Sequence, residues 1–232
     1  MNVHIAVITM ANQSNIDRLM GDVFWRSVWH RVSSIYVLSQ CGSVVIASPH
    51  IGDYPHVRYF ESETNLGCAG GRKFLTEKIM KSRFCGERFG PEDCIIYLDD
   101  DVMVYSEDWI RLLCEPLLMD YSISGVAGRR VTEDVWTVAD NVQPDYVSGG
   151  WCAIRGDVFL EGIMFDDKTY PINYWEDADI CHSARAKGKK LIAVGEIGLL
   201  HDDNPPNRDM VTVSKAITEN RIKFAKKWGL KV

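Results

Sequence analysis

Three consecutive carboxylates, Asp99, Asp100 and Asp101, follow directly on the apolar run Cys94–Leu98 (CIIYL). Adjacent negative charges repel one another, and packing gives no reason to gather them at the end of a buried strand. A divalent cation resolves the conflict, because hard oxygen donors suit magnesium or manganese. The carboxyl ends of parallel strands are also where α/β proteins hold ligands. The bland alternative is a solvated acidic loop in which Asp99 caps a turn.

A second acidic group, Glu176, Asp177 and Asp179, stands in Trp175–Cys181 (WEDADIC) at the start of a helix-like segment. The helix macrodipole favours negative charge in a first turn by about 0.3–1 kcal/mol, which accounts for one or two of the three. Tyr174 and Trp175 beside them point to a partly dry cleft, where a carboxylate is poised to take a proton. Asn65–Arg72 (NLGCAGGR) adds glycines at 67, 70 and 71 ahead of a helix, a pattern that brings backbone amides to an anion. It fits neither the P-loop nor the dinucleotide fingerprint, and a plain loop-to-helix turn has the same composition. His201, in Leu199–Asn204 (LLHDDN), follows an apolar run and precedes two acids. It reads equally as a structural histidine or a metal ligand.

These residues need a frame. His4–Met10 is a continuous apolar strand, and Ile16–Arg31 carries Ile16, Leu19, Met20, Val23 and Phe24 at helical spacing. Ser34–Leu38 and Ser43–Ala47 are β-branched strand candidates across a Gly-containing turn, and Val57–Glu61 is a weaker one. Asn65–Gly71 reads as a bend, with helical periodicity resuming over Arg72–Arg83. Cys94–Leu98 completes a strand–helix alternation that predicts a mostly parallel central sheet flanked by helices. The second half is less regular. Trp109–Met119, Asp177–Lys187 (ended by Gly188) and Val213–Trp228 read as helices. Ser124–Gly128, Val147–Arg155 and Lys190–Val194 read as strands, and His201–Arg208 as a Pro-rich loop. No linker-like composition divides the chain, so one domain is expected over 1–232.

A chain of 232 residues with 46% hydrophobic and 25% charged residues has material for a sizeable core. The formal charge of -6 argues against a protein that coats nucleic acid. Seven scattered cysteines without a C-x-x-C pair read as small buried hydrophobes in a reducing compartment. The N-terminus lacks the pattern of a signal peptide, and no run is long enough to span a bilayer. A cytoplasmic protein is expected, with peripheral membrane attachment left open. Lys187, Lys189, Lys190 and the lysines of 215–231 give the C-terminal part a basic bias, either a solvated helix face or a surface for an anionic acceptor or membrane.

Taken in order, these segments resemble the family-2 glycosyltransferases of the GT-A fold. Asn65–Arg72 looks like the family's N-x-G-x-x-G-G-R segment, and IIYLDDDV like the strand bearing its D-x-D motif, with Asp99 and Asp101 as the two acids. Tyr146–Phe159 (YVSGGWCAIRGDVF) resembles the segment before the acceptor site. Trp175–Gly188 is similar to the E-D-x-D-L motif, with Ile180 in the leucine position and Arg185 matching its arginine, and FAKKWG resembles a common family ending. The resemblance implies the GT-A (nucleotide-diphospho-sugar transferase) fold, with a nucleotide-sugar half over 1–101 and an acceptor half over 102–232. It implies an inverting, metal-dependent transfer of a hexosyl or related group from a nucleotide-diphosphate sugar, foremost a UDP-sugar, to an acceptor hydroxyl. Mn2+ or Mg2+ would be held by Asp101 with Asp99, and by His201 as a further ligand. Thr9, Asn65, Gly67, Gly71 and Arg72 would face the donor, with Asp99 or Asp100 at its ribose or sugar. Asp177 would be the catalytic base, with Glu176 supporting it or touching the acceptor. Gly149, Gly150, Trp151 and Trp175 would line the acceptor pocket, although Trp151 reads equally as a core residue.

The chain also departs from the family. No acid follows the second strand in Tyr36–Gly42, so the base-recognition residue is missing, and Asp53 is a weak substitute. Lys73 stands where many relatives have asparagine, and either reaches a phosphate or faces solvent. The acceptor is open among a saccharide, a lipid-linked glycan, a protein, a small molecule and a modified nucleic-acid base. A nucleotidyltransferase acting on a sugar phosphate is the alternative enzyme, but Ala11–Asn15 lacks the glycine and lysine of a triphosphate loop. A non-catalytic sugar-nucleotide binding module is the third reading, and the full set of acids argues against it.

Overall fold

The computed structural model describes residues 1–26, 32–46, 56–84, 87–128, 150–194, 197, 199–201 and 210–230. In chain order the elements are β1 (Val3–Thr9), α1 (Gln13–Arg26), β2 (Val32–Gln40), β3 (His56–Ser62), α2 (Gly67–Lys81), β4 (Arg83–Phe84), β5 (Glu87–Arg88) and β6 (Cys94–Asp99). There follow β7 (Val102–Val104), α3 (Trp109–Met119), β8 (Ile123–Gly128), β9 (Trp151–Arg155), α4 (Gly156–Leu160), α5 (Glu176–Ala186), β10 (Lys190–Val194), β11 (Leu199–His201) and α6 (Met210–Trp228).

Successive side chains of a strand point to opposite faces of its sheet. In β1, Ile5 and Val7 enter one apolar core while Ala6 and Ile8 enter another. β2 repeats this with Ile35 and Val37 against Tyr36 and Leu38, and β6 with Ile96 and Leu98 against Ile95 and Tyr97. The first core is closed by Leu19 and Val23 of α1 and by Trp109 and Leu113 of α3. The second is closed by Leu75 and Ile79 of α2 and by Ile180 and Ala184 of α5. Strands covered on both sides read as unbroken apolar runs, which is why β1 and β6 were conspicuous in the sequence.

The seven-stranded sheet has the order β10-β8-β9-β6-β1-β2-β3. All its pairings are parallel except those of β9, which is antiparallel to both β6 and β8. That reversal returns the chain to the carboxyl end of β6, where Trp151 pairs with Leu98 and the Asp99 amide donates to Gly150 O at 3.0 Å. β7 and β11 form a separate antiparallel pair in which His201 is opposite Val102. No helix among the described residues is long and apolar enough to cross a membrane.

Two expectations are corrected. Ser43–Ile46 is irregular rather than a strand. The edge of β2 is taken by β3, and side chains satisfy the backbone instead. The Val44 amide donates to the Tyr59 hydroxyl, and Gln13 bonds both the amide and carbonyl of Val45. The expected bend over Asn65–Gly71 is already helical from Gly67. β4, β5 and α4, short elements without a periodic signal, were not anticipated.

Candidate active site

Gly67 opens α2 at φ +69, and a Cβ there would lie 2.3 Å from Ile172 O and 2.4 Å from Pro171 O. The Cys68 amide donates to Ile172 O at 2.7 Å, so the start of α2 is fastened to the segment that leads into α5. At Gly71 a Cβ would meet Ile8, Gln40 and Leu38 within 3.1–3.6 Å, a contact that lets the helix lie close on β1 and β2. These glycines set the depth and pitch at which Arg72 enters the molecule. Replacing Gly67 with alanine combines a left-handed backbone with a clash against fixed backbone atoms. It is expected to lower unfolding stability by about 2–4 kcal/mol in a urea titration.

Arg72, only 3% exposed, joins the two acidic groups. Its Nη2 donates to Asp99 Oδ1 and Oδ2 at 2.8 and 3.2 Å, and its Nη1 donates to Glu176 Oε1 at 2.7 Å. Glu176 is buried and its Oε2 has no hydrogen-bond partner. Burial, followed by the Asp177 charge, pushes the Glu176 carboxyl up to about 7 against the opposing pull of Arg72. Asp177, next along α5, is partly exposed, and its Oδ1 accepts from the Ala178 amide at 2.8 Å. Asp179 belongs to a different network. Its 1% exposed carboxylate accepts from Lys227 Nζ at 2.8 Å and Trp228 Nε1 at 2.9 Å, which docks α6. The three acids of one helical turn thus separate into a buried partner of Arg72, a partly exposed carboxylate and a structural anchor.

Asp100 is held by Thr9, whose hydroxyl donates to Oδ2 at 2.5 Å, and Arg18 reaches the Asp100 carbonyl at 3.4 Å. Burial raises the Asp100 carboxyl to about 6, with the Asp101 and Asp99 charges adding to the shift and the Thr9 bond opposing it. Asp101 is partly exposed beside them. The backbone of His201 lies across from Val102, one residue beyond Asp101. Asn65 is exposed, and its Oδ1 accepts from the Gly67 amide. Gly150 lies against Asp99, whereas Gly149 is outside the described residues. Trp151 is buried in the first core, its indole N–H donated to Gly128 O at 3.2 Å. Trp175 is half-buried and packs on Phe224. Lys73 pairs with Asp167 at 2.7 Å, a partner neither sequence reading foresaw. Lys189 is likewise paired, with Asp157 and Glu161, and Asp53 is outside the described residues.

Among the described residues four non-glycines have positive φ: Ala11, Cys41, Tyr174 and Trp175. The first two follow β1 and β2, and the other two immediately precede Glu176, which Arg72 links to Asp99 at the end of β6. Backbone strain of about 1–3 kcal/mol per residue persists only where surroundings impose it, and it gathers at functional sites. Sequence gave no sign of these positions, because none is Gly, Asn or Asp. Arg18 was missed too, since its partner is 82 residues away.

No protein-family model matches the chain, and no curated protein sequence matches it. Solved structures do. A mannosyltransferase from Pyrobaculum calidifontis in complex with GDP-Man and Mn2+ matches with TM-score 0.71 at 12% identity, covering 97% of this chain and 63% of that one. Glucosyl-3-phosphoglycerate synthase from Mycobacterium tuberculosis, in complex with Mn2+, UDP and phosphoglyceric acid, matches at 0.66 and 15%, covering 100% and 80%. GalNAc-T7 with UDP, GalNAc and Mn2+ matches at 0.65 and 15%, covering 97% and 48%. The chain therefore spans less than two thirds of the mannosyltransferase and about half of GalNAc-T7. At these identities the likeness establishes the fold, the GT-A fold, and function rests on the site.

Proposed function

We propose that this protein is a metal-dependent glycosyltransferase that moves a sugar from a nucleotide-diphosphate sugar, foremost a UDP-sugar, to an acceptor hydroxyl with inversion. The observation that carries the reading is the Arg72 bridge. The buried Arg72 guanidinium ties Asp99, at the end of β6, to Glu176, 104 residues from Arg72 in sequence, and so joins the two acidic motifs. The fold adds support, because the similar structures above were solved with nucleotide sugars or nucleotides and manganese.

The donor set suits a hard divalent cation. Among the described residues no three His, Cys, Asp or Glu side chains gather closely enough to enclose an ion. Magnesium-like ions are bound by one or two carboxylates together with substrate phosphates, rather than by an all-protein cage. By the resemblance to the D-x-D motif, Asp101 would hold the ion with Asp99 and His201 would be a further ligand, while Arg72 and Thr9 fix Asp99 and Asp100 in place. Bound there, Mn2+ or Mg2+ supplies Lewis-acid stabilisation of a departing diphosphate.

The protein's own groups do the rest. Residues 1–101 hold the donor and 102–232 the acceptor, with Gly149, Gly150 and Trp175 on the acceptor side. Asp177 takes the acceptor's proton as the acceptor oxygen bonds to the anomeric carbon and the nucleoside diphosphate leaves from the opposite face. The transition state is oxocarbenium-like, as in glycoside hydrolysis.

A thermal-shift screen of nucleotide sugars with manganese tests the donor, since ligand at about a hundred times Kd stabilises by about 2.7 kcal/mol. The upward shift is expected to need manganese and to vanish in Asp101→Asn. Release of pyrophosphate in turnover, in place of a nucleoside diphosphate, would assign a nucleotidyltransferase. Retention of anomeric configuration by NMR would rule out the single displacement.

A further inference from the structure

Helix α5 begins from an unusual turn. Tyr174 (φ 72) and Trp175 (φ 75) are consecutive left-handed residues, and the N-cap, Trp175, makes no side-chain capping bond. N-caps ordinarily sit in the extended region and satisfy a free amide with a short polar side chain. Neither aromatic residue favours this backbone, so something outside the turn must hold it. The holder is α6. Asn220, 5% exposed, donates through Nδ2 to Asn173 O at 2.8 Å and to Tyr174 O at 3.1 Å.

The amide cannot be turned round. Lys223 Nζ donates to Asn220 Oδ1 at 3.0 Å, and a flipped amide would set NH2 against the cation and oxygen against two carbonyls. One helical turn further, Phe224 packs its ring 5.1 Å from that of Trp175. Beyond it, Lys227 and Trp228 bind Asp179 within α5. The spacing of 220, 224, 227 and 228 puts this grip on one face of α6. The residues immediately after the turn are Glu176, bound to Arg72, and Asp177.

We propose that Asn220 is a positioning residue, which holds the Tyr174–Trp175 turn in its left-handed form and thereby aims Glu176 and Asp177 into the site. Its effect on turnover rests on the glycosyl-transfer reading, and its effect on the turn does not. A buried asparagine that only fills space would tolerate an uncharged side chain of similar size, so Asn220→Leu is the neutral control for Asn220→Asp. The aspartate keeps the shape, removes both N–H donors and sets a carboxylate oxygen against two carbonyls.

The test is hydrogen exchange on the resting protein, followed by steady-state kinetics with donor and manganese. In Asn220→Asp, amides of Ala178–Cys181 are expected to exchange at least about tenfold faster while those of α2 keep their protection, the signature of local opening. Turnover should fall about a hundredfold, the scale of a small misplacement at a reacting centre, with KM for the donor within about twofold. If α2 also loses protection, the uncharged Asn220→Leu, which fills similar space and donates nothing to the turn, decides by the same readings. Unchanged exchange at the start of α5 would overturn the proposal whether or not the protein transfers sugar. Faster exchange there with undiminished turnover would overturn it as well. Faster exchange in a protein that transfers no sugar would uphold the hold on the turn and fail only the reaction assigned to the site.

Discussion

Replacing Arg72 with methionine is expected to lower unfolding stability by about 3–5 kcal/mol, the range for a buried ion pair stripped of one partner. Methionine keeps most of the apolar stem and removes the guanidinium, so the loss measures what the charge does for its two acids. Glu176 is the more exacting partner, because it is almost wholly buried and only one of its oxygens is satisfied. The effect carries a pH signature whose sign is fixed. Burial and the Asp177 charge raise the Glu176 carboxyl from 4.5 to about 7, while Arg72 pulls it down. A carboxyl whose folded pKa exceeds its unfolded one binds the extra proton in the folded state. The stability it contributes is full below pH 4.5 and is lost as pH rises through 7. Removing Arg72 lifts the folded value further, so the loss continues to higher pH in the variant. The deficit relative to wild type should therefore widen between pH 6 and pH 9 in urea titrations. Adding Glu176→Gln to Arg72→Met should recover part of the loss at pH 8.5, since it replaces a buried unpaired charge with a neutral amide. A deficit independent of pH would place the energetic role of Arg72 at Asp99 alone.

The central strands were legible because their cause is local: β1 and β6 are buried on both faces, and an unbroken apolar run is what that burial demands. α3 was legible to the residue, since Trp109, Ile110, Leu113 and Leu117 repeat at helical spacing. The start of α2 was not. Glycine disfavours helix interiors, so Gly67, Gly70 and Gly71 read as a bend. For Gly67 and Gly71 the reason lies elsewhere in the fold, in the backbone of Pro171–Ile172 and the side chains of Ile8 and Leu38. Ser43–Ile46 failed in the opposite direction, because its β-branched residues look like a strand while β3 already occupies the edge they would need. At the site, both acidic motifs were visible as residues, and their division of labour was not. Whether Glu176, Asp177 or Asp179 is buried against a cation depends on Arg72 and Lys227, which arrive from 104 and 48 residues away. The lysines of α6 show the same limit. The basic bias read from the sequence includes Lys227, paired with two acids, and Lys223, bonded to Thr169 O and Asn220.

Replacing Asp177 with asparagine is expected to lower turnover about 10²–10⁴-fold, the contribution of one general acid–base group, with KM for the donor little changed. Of the two acids that open α5, Glu176 is poorly placed to exchange protons with an acceptor: it is enclosed, and one oxygen is bound by Arg72 at 2.7 Å. Asp177 is partly exposed and lies one residue past it, where its charge is still felt by both Glu176 and Arg72. That nearness supplies a second signature. The Asp177 charge helps hold Glu176 above its ordinary range, so neutralising it should let Glu176 ionise more readily in the folded state. With the folded value moved back toward 4.5, less stability is lost as pH rises, so the melting temperature of Asp177→Asn relative to wild type should rise between pH 5 and pH 8. A variant that is slower and more stable is what is expected when an active site keeps a like-charge pair for its chemistry. Glu176→Gln relieves the same repulsion but also weakens the bond to Arg72, so it should gain less stability while disturbing the position of Asp99. Full turnover in Asp177→Asn would remove it as the base, whatever its melting temperature. A melting difference that does not change with pH would mean that the Asp177 charge does not load Glu176.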